Sequence, residues 1–164
     1  MQTMGMRYHH TKTKGDLGVL CAKVDLVKKG YGLLLPLTEH APFDLVAFRE
    51  NIFLRISVKY RTMKEGAVGL RFSSVWVDRR QIHRVPIDKS AIDLVCIYCP
   101  DTELCYYVDP RRFRDAVNLR ILPPKNRQQY SVHWASDFKE LPPSVVRAAE
   151  RRHARQDSNL RNPV

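Results

Sequence analysis

Acidic residues are the scarce class in this 164-residue chain, with 17 Asp and Glu against 28 Lys and Arg, a net charge of +11 and a pI near 9.8. The deficit points to a polyanionic partner, of which nucleic acid is the most common. It is not confined to the end of the chain. Residues 147–164 hold five arginines and two acids, which leaves +8 on residues 1–146. Long apolar runs are also missing: none reaches about 18 residues, so no membrane span is expected. The opening MQTMGMRYHHTKTKG lacks the apolar centre of a signal peptide, and a cytoplasmic location is expected. Cysteine is sparse too, at four. Cys96 and Cys99 form a CxxC inside IDLVCIYCP, without a second such pair. On a strand, positions three apart face opposite ways, which argues against a shared metal and for free thiols in a reducing compartment.

What is present reads as one globular domain over residues 1–146, followed by a basic helical tail, partly disordered, over 147–164. Residues 11–29 place Leu17, Leu20, Cys21, Val24 and Val27 at helical spacing, which predicts that this stripe faces the core, with Gly30 closing the helix. Short apolar runs at 31–35, FDLVAFR, IFLRISVKY, VGLRFSSVWV, IDLVCIY, LCYYV and VNLRIL predict strands. DRRQIHRVPIDKS reads as an exposed basic connection, Asp109-Pro110 as the start of a short helix, and SVVRAAERRHARQ as a late helix. The order predicts an α+β (mixed α/β) fold around one central mixed sheet flanked by helices.

The hairpin APFDLVAFRENIFLRISVKYR carries an isolated aspartate and an isolated lysine. A turn at Glu50-Asn51 makes residue numbers paired across it sum to about 101, which sets Asp44 opposite Ser57. Ser57 and Lys59 share a face through the two-residue period of a strand. Asp44, Ser57 and Lys59 therefore converge at one end of the sheet.

With Pro42-Phe43-Asp44 and Ser57-Val58-Lys59 as its two elements, the chain resembles PD-(D/E)xK nucleases. More narrowly it resembles the homing endonucleases encoded in group I introns of bacterial tRNA genes, through KGDLGVL…LVKKGYGLLLPL, FDLVAF…RISVKYR, IDLVCIYCPDTELCYYV and LRILPPKNRQQ…WASDF. The resemblance implies a restriction-endonuclease-like core and metal-dependent cleavage of double-stranded DNA by a homo-oligomer, dimer or tetramer, using Mg²⁺ or Mn²⁺. It implies catalytic positions at Asp44, Lys59, Ser57 and Val19, and metal positions at Asp44, Val58, Ser57 and Asp16. Two of these depart from the family pattern: Val19 stands where KG(D/E)xGE has a glutamate, and Ser57 where glutamine or an acid is usual. The alternatives are therefore a weakened or inactive DNA-binding relative, or a structure-specific resolvase. DNA contacts are expected from Lys12, Lys14, Arg61, Lys64, Arg79, Arg80, Arg84, Lys125 and Arg127, with Gln128 and Gln129 able to read adenine edges.

Overall fold

The computed structural model describes residues 10–38, 40–78, 81–123 and 131–161. Helix α1 spans His10–Lys28 and closes on Gly30, whose φ of +81° permits the backbone reversal. The Gly30 N–H reaches the Val27 carbonyl at 2.9 Å and the Tyr31 N–H the Leu26 carbonyl at 3.0 Å, satisfying the last turn. Strands β1 (Gly32–Leu34), β2 (Leu45–Arg49) and β3 (Ile52–Tyr60) follow as an antiparallel meander. Leu45 pairs with Ile56 and Arg49 with Ile52, the register that the Glu50-Asn51 turn requires.

The main sheet runs β1-β2-β3-β7-β8, with β7 (Leu94–Cys99) parallel to β3 and antiparallel to β8 (Leu104–Val108). Between β3 and β7 the chain forms β4 (Ala67–Arg71), β5 (Ser73–Val77) and β6 (Ile82–Pro86). A second sheet of order β10-β9-β4 is completed by β9 (Ala116–Arg120) and β10 (His133–Trp134). Helix α2 spans Pro143–Arg161.

The two faces of the main sheet are covered differently. On one, Ala22 and Leu26 of α1 and Val145 and Ala149 of α2 pack on Leu54, Ile56 and Val58. On the other, Val68, Leu70, Val117 and Leu119 of the small sheet meet Val95, Ile97, Tyr106 and Val108. Every residue of β7 is buried, which is why IDLVCIYC reads as continuous hydrophobicity rather than alternation. Cys96 enters the first cluster and Cys99 the second, so the CxxC thiols do face opposite ways, and both are free.

Three sequence expectations are corrected. Leu17, Leu20, Val24 and Val27 do not face the core but are 42–57% exposed. The helix instead turns Gly18, Ala22 and Leu26 inward, because small residues let it lie close to the sheet. A Cβ on Gly18 would stand 3.4 Å from that of Tyr60. The same rotation brings Asp25 to the buried Tyr107, whose hydroxyl donates to its carboxylate at 2.6 Å. VGLRFSSVWV is two strands, broken at Phe72. The basic connection contains β6, which pairs antiparallel with β5 and so satisfies its backbone.

Helix α2 is tied to the sheet by charge as well as packing. Asp93, just before β7 and 1% exposed, accepts from Arg55 Nε at 3.1 Å and from Arg152 of α2 at 2.9 Å, with Arg111 at 3.5 Å. Burial alone would raise this carboxyl's pKa. The hydrogen bonds from Arg55 and the charges of Arg152 and Arg55 outweigh it and hold the pKa below the ordinary carboxylate value.

Candidate active site and nucleic-acid groove

Asp44 lies one residue before β2, its N–H bonded to the Ile56 carbonyl at 2.9 Å. Its Oδ2 accepts the Val58 N–H at 2.5 Å and the Ser57 hydroxyl at 3.2 Å. Strand pairing therefore brings Asp44, Ser57 and the Val58 backbone together as the hairpin register predicts. Ser57 and Lys59 alternate away from Ile56 and Val58, and their partners on β7 are Val95 and Ile97 of the second cluster. Asp44 is exposed and Lys59 half-buried, and among the described residues neither forms an ion pair. The strand-end salt bridge that two such charges could have made is absent.

The helix residues are placed differently. Val19 packs against the first apolar cluster and Asp16 is exposed on α1. The bonds that converge on Asp44 come from Ser57 and Val58. Among the described residues, no group of three His, Cys, Asp or Glu side chains gathers as a metal cage. The donor set is thus one carboxylate and one hydroxyl. That is thin for a cation held by protein alone, yet it fits Mg²⁺, which keeps several waters and is commonly bound by one or two carboxylates plus substrate phosphates.

Beyond Lys59 the chain enters an open groove of about 730 Å³ between the N-terminal part of α1 and the outer face of β4 and β9. Lys14, Arg61 and Lys64 line it. Lys14 Nζ lies 5.9 Å from the Tyr60 ring centre, a position that the close approach at Gly18 allows. Lys12 is exposed on the same helix. Arg84 lies in β6, while Arg79, Arg80, Lys125, Arg127, Gln128 and Gln129 fall outside the described residues. Arg71, Asn118 and Arg120 also line the groove and were not anticipated. Their signal was available in AVGLR and AVNLR, where polar or small residues alternate with buried Val and Leu.

Residues 9–141 match the family described as PD-(D/E)XK endonuclease, and the chain belongs to that family. Nucleases of this family generally use divalent metal ions. The fold is similar to that of a bacterial homing endonuclease, I-Ssp6803I, with a TM-score of 0.68 at 24% identity over 89% of this chain and 97% of that one. No curated protein matches the chain.

Proposed function

We propose that the protein is a site-specific endonuclease of the homing type, hydrolysing phosphodiester bonds of double-stranded DNA with Mg²⁺ or Mn²⁺. The observation that carries this reading is Asp44: an exposed carboxylate fixed by Val58 and Ser57, without a cationic partner among the described residues, on the strand pair that also bears Lys59. Asp44 would hold the cation, with Ser57 and the Val58 backbone as neighbours and Asp16 as a second carboxylate from α1. When bound, the metal would supply Lewis acidity at the phosphate and a more acidic water. Lys59 would orient the attacking water and offset charge developing on the phosphate oxygens. The basic groove beside it would hold the flanking duplex.

Val19 in place of an acid, and a donor set with a single carboxylate among the described residues, favour a second reading, a DNA-binding relative with weak or no cleavage. Supercoiled plasmid carrying a candidate site, incubated with the protein and Mg²⁺, separates the two. A linear product cut at one fixed position is expected. Binding without any product would leave the second reading.

Cutting both strands requires two sites, so the reading includes a two-fold assembly. The exposed α1 stripe suits a second copy of the chain. Leu17 and Val27, and Leu20 and Val24, are each centred on Ala22, so an antiparallel pair of these helices would match apolar side chains along its length. Sedimentation should show the parent larger than Leu20→Lys at equal concentration. A monomeric parent would exclude this interface.

A further inference from the structure

We infer that the outer face of β4 and β9 is a sequence-reading ribbon for the DNA major groove, with Asn118 and Arg71 contacting base edges. The inference rests on the DNA-binding reading above and assigns the specificity that it leaves open. The two strands pair antiparallel with Ala67 opposite Arg120, Gly69 opposite Asn118 and Arg71 opposite Ala116. Val68, Leu70, Val117 and Leu119 point into the core at 0–4% exposure, so the alternate residues form the other face. That face has a low floor of Ala67, Gly69 and Ala116, from which only Arg71, Asn118 and Arg120 project.

The Asn118 amide lies across Gly69, where an added Cβ would stand 3.0 Å from its Oδ1. A flat ribbon with a small-residue floor can approach base edges closely, and the major groove admits a two-stranded β-ribbon. An asparagine amide matches the N6 and N7 pair of adenine, and arginine the O6 and N7 pair of guanine. Arg120 has a different use, since it donates to the Glu65 carbonyl at 2.7 Å and braces the β3–β4 connection. Lys14, Arg61 and Lys64 stand along the walls, where they suit phosphates rather than bases. Since the groove begins directly after Lys59, DNA read on this ribbon would extend past the candidate cleavage site.

The test selects bound sequences from a pool of random-sequence duplexes, using the full chain and Ca²⁺ in place of Mg²⁺ to prevent cutting. The parent should enrich a defined site. Asn118→Ala should reduce discrimination at one or two base pairs by about ten- to a hundredfold while keeping preferences elsewhere, and Arg71→Ala should do so at a nearby position. Gly69→Ala, which displaces the amide without removing a polar group, should weaken the same base pairs as Asn118→Ala. Lys64→Ala should lower affinity for all sequences alike and reduce the slope of log K against log salt by about one. An enriched site identical in the parent, Asn118→Ala and Arg71→Ala would overturn the ribbon assignment and leave DNA binding standing. Duplex binding by the parent without enrichment would also overturn it. A parent that binds no duplex would overturn the DNA-binding reading itself.

Discussion

Asp44 and Asp93 hold matching stations on the two sides of β3. The Asp44 N–H donates to the Ile56 carbonyl at 2.9 Å, and the Asp93 N–H to the Arg55 carbonyl at 2.8 Å. Each carboxylate also accepts a β3 amide, Val58 for Asp44 and Arg55 for Asp93. Their surroundings then diverge. Asp93 is buried, and its charge is balanced by three arginines from β3, the turn after β8, and α2. Asp44 is exposed, and among the described residues its donors are a neutral amide and a neutral hydroxyl. The same backbone device therefore holds two carboxylates in opposite electrostatic settings: one with its counter-charges built in, which contributes to holding elements together, and one without them among the described residues, the setting that the proposed cation-holding role requires.

The largest expected effect breaks the Asp44 side of this comparison. Asp44→Ala should reduce metal-dependent cleavage by at least about a thousandfold. Because it removes one exposed strand-end cap, stability should fall by only about 1 kcal/mol, read from denaturant melts of both proteins. A variant that unfolds would assign Asp44 the structural role of Asp93.

Asp93→Asn should do the reverse. Removing one partner of a buried ion pair costs about 3–5 kcal/mol. The arginines here are 37–47% exposed and can turn to water, so the loss should be nearer about 2 kcal/mol. Cleavage at a temperature where the variant is folded should persist. Urea melts and plasmid cutting at 15 °C or about that temperature would check both parts. Unchanged stability would mean that the three arginines hold α2 without help from this carboxylate.

The smallest effect is in acid. Asp93 has its pKa lowered in the folded protein, so its contribution is fully present above the unfolded carboxylate value and is lost as pH falls through the folded one. From about pH 4 downward the parent should lose stability faster than Asp93→Asn, which has no such proton to take up. Parallel acid dependence of the two melts would remove Asp93 from the account of acid sensitivity.

The hairpin was legible because its information is local. Apolar alternation and a two-residue turn fix the register, and the register alone brings Asp44 to Ser57 and Val58. The same holds for the CxxC, whose spacing on a strand separates the thiols whatever surrounds them. The face of α1 was not legible. Its apolar residues fall on more than one side, and the structure buries the side with Gly18, Ala22 and Leu26, which lies close to Tyr60 and brings Asp25 to the Tyr107 hydroxyl. No local pattern encodes the distance between a helix and the sheet that it covers.

The sequence by itself determined the strand pairing of the hairpin, the thiols' opposite faces, the closure of α1 at Gly30 and the positive charge, all consequences of residue type and short spacing. The tertiary structure alone decided that Arg55, Arg111 and Arg152 meet on Asp93, that Arg71 and Asn118 share a groove with Lys14, and that Leu17, Leu20, Val24 and Val27 remain exposed. These depend on which distant segments stack against one another, and that is set by the packing of sheets and helices, not by any stretch of chain read alone.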